Sequence, residues 1–254
     1  MRTSFVQSNL LWENIEGNLR YFEIHMDRIA KESDIIILPE MFTTGFSMNV
    51  ALAEEYPGRT SIWMSHLSTQ YDSVIIGSVM IKEKDQYYNR CIIAKPDGTS
   101  LYYDKKHLFG YGHENNFYSA GDEKLIFEWK GWRICPLVCY DLRFPIWSRN
   151  VEPYYDLLIY IASWPKNRAL AWKTLLAARA IENQAYVIGV NRIGQDGNSL
   201  NYIGDSTAIN YLGEILNDPN DQEAMVTTVL DLESLKKFRT EFRFLNDGDQ
   251  FSLN

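Results

Sequence analysis

A chain of 254 residues with 46% apolar, 23% charged and 14% aromatic side chains, 15 glycines and 8 prolines can bury a large core without disulfide staples, and it lacks the composition of a disordered, collagenous or fibrous protein. Its formal charge of −8, from 25 basic and 33 acidic residues with no lysine or arginine block, argues against a nucleic-acid partner. No apolar run approaches the roughly 18 residues that span a bilayer, and the amino terminus turns polar at Gln7, so neither a membrane partner nor a secretory signal is expected and the expected location is cytoplasmic.

Residues 3–7 read as a short strand. Ile15, Leu19, Phe22, Met26 and Ile29 then recur at helical spacing and lay one apolar stripe along an amphipathic helix. Asp34 introduces the unbroken run Ile35-Ile36-Ile37-Leu38, the pattern of a strand covered on both faces, and Pro39 ends it just before Glu40. A helix over 60–70 leads into the β-rich run 73–80. Segments 89–94 and 101–103 flank Lys95-Pro96-Asp97-Gly98, a turn sequence that joins them as a hairpin and makes the sheet mixed.

Residues 104–124, with glycines and histidines among aromatics, sustain neither a strand nor a helix period and read as a long irregular loop of the kind that often carries function. Strands follow at 125–129, 132–138 and 157–161, then an alanine- and leucine-rich helix over 169–183. Strands at 186–191, 204–210 and 224–230, a turn at Asn210-Tyr211-Leu212-Gly213 and a short helix over 232–238 complete the order. Each half opens on a strand-helix-strand unit, without a repeat of fixed period. No Gly/Ser/Pro-rich linker interrupts the alternation, so the expectation is one α/β domain over 1–254 with helices outside two packed sheets, and a tail from about 239 to 254 docked on the domain or on a partner.

The three cysteines, Cys91, Cys135 and Cys139, are an odd number, and no Cys/His spacing completes a zinc site. Cys139 follows an apolar strand where the chain turns and backbone amides become free, which suits an attacking thiolate and equally a buried thiol. Glu40 stands at the end of its own strand, where a carboxylate beside a dry core gains basicity, or else is a solvated loop residue. Of Lys105 and Lys106, one directed inward would stabilise a thiolate and a developing oxyanion, whereas both on the surface would do neither. His107 could pair with Cys139 as an alternative base, which would leave Glu40 without a role.

The ordered segments Leu38-Pro39-Glu40, Tyr103-Asp104-Lys105-Lys106-His107-Leu108-Phe109 and Cys139-Tyr140-Asp141-Leu142-Arg143-Phe144-Pro145 resemble the three signature segments of the nitrilase, or carbon-nitrogen hydrolase, superfamily. The resemblance covers nearly the whole chain, including 177–187, and implies a nitrilase-like α-β-β-α sandwich with two packed mixed sheets. Carried over by position, it implies that Glu40 is the general base, Lys105 the stabilising cation and Cys139 the nucleophile. A second glutamate in the following loop matches Glu114, with Glu123 as a neighbouring alternative. The chemistry implied is attack of Cys139 on an amide, an oxyanion held by Lys105 and the backbone N–H of Tyr140, and hydrolysis of a thioester, with no metal or organic cofactor. A homodimer is also implied, with the 169–183 helix as a candidate contributor.

Within the superfamily, 139–150 and 162–168 are similar to the bacterial omega-amidase branch, whose members release ammonia from the terminal amide of 2-oxoglutaramate or 2-oxosuccinamate and leave the 2-oxo dicarboxylate. Such a substrate needs a cationic partner for its carboxylate, and the candidates are Arg168 and, unless it pairs with Asp141, Arg143. Phe42, Tyr111, Phe117, Tyr140 and Trp164 flank these segments and would either wall a small pocket or simply pack. Alternatives from the same machinery are an N-carbamoyl compound or another small aliphatic amide as substrate. From a different class comes a noncatalytic binding protein on this fold.

Overall fold

The structure is a computed structural model and describes residues 1–30, 33–249 and 251. Its elements run β1 (Arg2–Gln7), α1 (Ile15–Ala30), β2 (Ile35–Ile37), β3 (Glu54–Glu55), α2 (Arg59–Tyr71), β4 (Val74–Glu83), β5 (Gln86–Ala94) and β6 (Ser100–Asp104) in the first half. The second half adds β7 (Phe127–Trp129), β8 (Trp132–Val138), α3 (Pro145–Ser148), β9 (Leu157–Ala162), α4 (Ala169–Asn183) and β10 (Tyr186–Asn191). It closes with β11 (Ile193–Gln195), β12 (Asn201–Ile203), β13 (Thr207–Ile209), β14 (Ala224–Val229) and α5 (Leu232–Glu241).

One sheet has the order β14-β1-β2-β4-β5-β6, with β3 paired to β4; the other has the order β13-β10-β9-β8-β7. Both are mixed. β2 lies parallel to β1 and β4, and β9 parallel to β8 and β10, while β4-β5-β6 is an antiparallel meander and β13 and β7 close the second sheet antiparallel. A separate hairpin, β11-β12, stands outside both sheets. The architecture is the expected pair of packed mixed sheets flanked by helices.

The pleat explains why the apolar runs are unbroken. Successive side chains alternate faces, so Phe5, Ile35, Ile37, Val74 and Ile76 point into the layer shared with the second sheet, while Val6, Ile36, Leu38 and Ile75 point outward under α1 and α2. The stripe of α1 buries Leu19, Phe22, Met26 and Ile29 on that outer face. Burial of each such side chain contributes about 1.5–3 kcal/mol, so truncating Phe22 to alanine would cost about 3–5 kcal/mol. On the second sheet the absence of a side chain at Gly189 admits Trp172 and Leu176 of α4, atoms of which lie 2.4–2.8 Å from where a Cβ would stand.

The 95–98 turn closes the β5-β6 hairpin, with Gly98 at φ +82° and its N–H donating to Lys95 O. The 104–124 segment is irregular apart from two short 3-10 turns. The strand expected at 204–210 is confined to β13, because Gly204 and Asp205 adopt φ +65° and +55° and break the extended run. The short elements β3, β11, β12 and α3 were not expected. Of the expected tail, Gln184 Nε2 donates to Phe242 O and Leu245 is buried, while residues 250 and 252–254 lie outside the described residues. No helix among the described residues is long and apolar enough to cross a membrane.

Candidate active site

Two strand ends meet at the site, and both turn through left-handed backbone. Glu40 leaves the end of β2 just before Met41 at φ +44°, and Cys139 leaves the end of β8 at φ +46°. A non-glycine residue in this region costs about 1–3 kcal/mol and persists only where its surroundings enforce it. At Cys139 the enforcing group is Asp141, fully buried two residues on. Its Oδ2 accepts from Val138 N at 3.0 Å and from Tyr103 OH at 2.7 Å, and its Oδ1 accepts from His107 N at 2.9 Å with His107 Nδ1 at 2.8 Å.

This geometry decides between readings that the sequence left open. Arg143 does not pair with Asp141, whose carboxylate is occupied by donors from β6, β8 and the loop after β6. His107 is not placed as a base, since it faces Asp141 and stacks on Phe144 at 3.7 Å between ring centroids.

Lys105 follows β6 with its N–H on Asn89 O, and its side chain is fully buried. Its Nζ donates to Glu40 Oε1 at 2.9 Å and to both oxygens of Glu114, at 3.0 and 2.9 Å. Lys106 instead lies over the Trp147 ring, and Glu123 is exposed, so Lys105 and Glu114 are the pair drawn inward. Glu114 also accepts from Phe109 N at 2.6 Å, which ties the irregular loop to the cluster. Asn89, for which the sequence carried no signal, donates from Nδ2 to Glu40 at 2.8 Å and to Glu114 at 3.3 Å. The remaining oxygen of Glu40 accepts from Ser163 N at 2.7 Å.

Electrostatics follow from this geometry. Burial pulls the Lys105 ammonium toward neutrality, but Glu114 and Glu40 overturn it and hold the lysine above its ordinary pKa, hence charged. Burial raises Glu114 above the usual carboxylate range despite Lys105, with Glu40 adding to the rise. Burial first, and Glu40 next, push the Cys139 thiol well above its ordinary value, against the opposing pull of Lys105 and a hydrogen bond from Ser163 N–H. The buried sulfur therefore holds its proton more tightly than a free thiol does. Cys91 and Cys135 are also raised by burial, but they lie in the core between the sheets with no such cluster beside them.

Cys139 opens onto a cavity of about 110 Å³, well below the roughly 300–1,000 Å³ of drug-sized sites and so suited to a small molecule. Arg143, Arg168, Tyr140 and Trp164 line it, as expected, together with Ser163 and, across the opening, Asp196 and Tyr202 of the β11-β12 hairpin region. The Arg143 guanidinium sits over Trp164 and that of Arg168 over Phe109, each 5.0 Å from the ring centroid, and among the described residues neither has a carboxylate partner. Asp196 is not their counterion, since it accepts from Asn198 N, Leu200 N and Tyr202 OH.

Three expected wall residues lie elsewhere. Phe42 packs on the outer face of β4 against Phe22 and Trp63, where Gly77 leaves its ring room. Tyr111 is 85% exposed and Phe117 is 44% exposed, and neither lines the cavity, because the two short 3-10 turns carry them outward. The hairpin wall was not legible, since its residues form no motif. Among the described residues, no cluster of His, Cys, Asp and Glu is arranged to hold a metal ion.

Comparison with known proteins agrees with this geometry. The carbon-nitrogen hydrolase family model matches residues 2–240. Omega-amidase YafV of Yersinia enterocolitica is 46% identical over 256 residues, covering 100% of this chain and 98% of that protein. A 2-oxoglutaramate amidase of Bacillus subtilis is 31% identical over 96% of each chain. Among solved structures, a CN-hydrolase superfamily protein of Xanthomonas campestris with an arsenic adduct in its active site superposes with a TM-score of 0.98 at 45% identity, covering 100% of this chain and 99% of that one.

Proposed function

The chain belongs to the carbon-nitrogen hydrolase family, and from that premise we propose that it is an omega-amidase that hydrolyses the terminal amide of 2-oxoglutaramate or 2-oxosuccinamate. The observation that carries the reading is one cavity lined by Cys139 and by two carboxylate-free arginines, with the buried Glu40-Lys105-Glu114 cluster beside the cysteine. The Glu40 carboxylate takes the proton of Cys139, which a thiol so far above its ordinary pKa requires. The sulfur attacks the amide carbon, and the developing oxyanion is met by the Lys105 ammonium and by the N–H of Tyr140, which stands in the first turn of the 3-10 helix Cys139–Arg143 and so has no partner within that helix. Glu40 returns the proton to nitrogen and ammonia leaves. Water activated by Glu40 then hydrolyses the thioester. Glu114 acts on Lys105, whose charge and direction it holds, rather than on the substrate. Arg143 or Arg168 receives the distal carboxylate.

The test is ammonia release from 2-oxoglutaramate beside glutamine, a short monocarboxylic amide and an N-carbamoyl amino acid, with Cys139→Ala as the blank. Preference for 2-oxoglutaramate, lost in the variant, is expected; turnover confined to another amide or carbamoyl compound would refute the substrate reading and keep the machinery. The protein is further proposed to act as a homodimer to which α4 contributes, since Leu170 and Ile181 of α4 are 80% and 54% exposed; sedimentation at micromolar concentration tests this, and a monomer would refute it.

A further inference from the structure

Beside Glu40 and Cys139 lies a hydroxyl to which the mechanism above gives no task. Ser163 lines the cavity and is 6% exposed, yet its Oγ has no hydrogen-bond partner. Its place is fixed by its backbone, whose N–H donates to Glu40 Oε2, while the next N–H, that of Trp164, is held by Asn191. A buried hydroxyl without a partner is unfavourable, and at a site it marks where a ligand atom completes the pairing.

The two oxygens of Glu40 divide the site. Oε1 faces Lys105, and Oε2 faces Ser163. An amide that turns its oxygen toward Lys105 turns its nitrogen toward the Oε2 side. We propose that Ser163 Oγ accepts a hydrogen bond from the scissile amide nitrogen and thereby makes the enzyme select carboxamides over esters. This deepens, and rests on, the amidase reading with Cys139 as nucleophile.

In the first step the Sγ–C bond forms as Glu40 takes the thiol proton and the carbonyl π pair moves onto oxygen. In the second, that pair re-forms the carbonyl, the C–N bond breaks with its electrons on nitrogen, and Glu40 delivers the same proton there, releasing ammonia and leaving the thioester. With one N–H committed to Ser163 Oγ, the nitrogen lone pair is turned to the Glu40 oxygen that carries the proton. An ester has no N–H to give.

The experiment compares wild type, Ser163→Ala and Ser163→Thr on the enzyme's best amide and on the methyl ester of the same acid, reading kcat/KM, which covers the steps up to the thioester. Ser163→Ala is expected to lower the amide value about tenfold or more while the ester value stays within about twofold, and Ser163→Thr, which keeps the hydroxyl, to restore amide preference. Equal losses on amide and ester, or no loss on either, would overturn the inference, and ester turnover reports that the variants are folded. Cys139→Ala is run beside them: survival of both activities there refutes the nucleophile reading itself, whereas loss of both with parallel scaling in Ser163→Ala refutes only the role of Ser163.

Discussion

Two ion clusters hang from the same strand pair and face opposite ways. Arg90 and Asp104 are register partners on β5 and β6, and their neighbours Asn89 and Lys105 stand one residue away, so the pleat sends them to the other side. Each cluster has one cation and two carboxylates. Arg90 donates from Nε and Nη2 to Asp104 at 2.7 and 2.8 Å, meets Glu83 at 2.8 Å and lies 3.9 Å over the Tyr102 ring. Lys105 meets Glu40 and Glu114. The difference is water: the Glu83 side chain is 47% exposed and that of Asp104 14%, whereas all three members of the Lys105 cluster are at 0%. A planar guanidinium gripped by rings and open to solvent at its rim is a brace. A compact ammonium sealed with two carboxylates beside a thiol is the kind of strongly perturbed cluster that marks a functional site, and it is the one proposed above to serve the reaction.

The largest effects separate the clusters directly. Lys105→Met leaves two carboxylates buried without a cation, which is expected to cost about 3–5 kcal/mol of stability and, in the folded fraction, at least about 100-fold in kcat. Arg90→Met leaves carboxylates that reach water, so a smaller loss of about 1–3 kcal/mol is expected, with kcat per folded molecule close to wild type. Urea unfolding and active-site-normalised kinetics check both, and loss of turnover in folded Arg90→Met would break the comparison.

Glu40→Gln probes the charge itself. Turnover is expected to fall by about 100- to 10,000-fold for want of a base. The Cys139 thiol should titrate at lower pH than in wild type, because Glu40 is one of the groups that push it up. Thiolate absorbance against pH reads this, and a shift to higher pH would show that Glu40 is not a charge beside the sulfur. A weaker effect is expected on the cavity wall: replacing whichever of Arg143 and Arg168 holds the substrate carboxylate by methionine should raise KM for the dicarboxylic amide about 10- to 100-fold and leave a monocarboxylic amide unaffected. Equal changes for both substrates would assign the arginines to packing.

The comparison also shows what a sequence can carry. Apolar runs reveal β2 and β8 because burial on both faces leaves a one-dimensional trace, and the residues that follow such strands, Glu40 and Cys139, are conspicuous for the same reason. The adjacent Asp104 and Lys105 point to opposite clusters, and the lysine is identified by its place in the 103–109 signature segment, not by any period in the chain. Asn89 and Ser163 escaped notice because their contacts cross 49 and 123 residues of chain and no spacing encodes them. For Phe42, packing is the outcome, because flanking the site in sequence is not facing it: the chain turns after β2, with Met41 at φ +44°, and the room left by Gly77 takes the ring into the outer core. Arg143 was read toward Asp141 from proximity in sequence, whereas the carboxylate had nearer donors in Tyr103, His107 and Val138.

The smallest effect tests whether solvent is the true difference between the clusters. Burial raises the pKa of Asp104 above its ordinary value, against the pull of Arg90, as it raises Glu114 against the pull of Lys105. A carboxyl whose folded pKa is raised binds its proton more tightly in the native state than in the unfolded chain. Its contribution to stability is therefore complete below the unfolded pKa and is lost as pH rises through the folded one. In the window just above the ordinary carboxylate range, wild-type stability should fall relative to Asp104→Asn and relative to Glu114→Gln, by at most about 1.4 kcal/mol per pH unit for each group. The fall against Asp104→Asn should be the shallower, because water reaches Asp104 and screens its charge. Urea midpoints of the three proteins across that window check the order. An equal or steeper slope at Asp104 would mean that partner geometry, not solvent access, distinguishes the brace from the site.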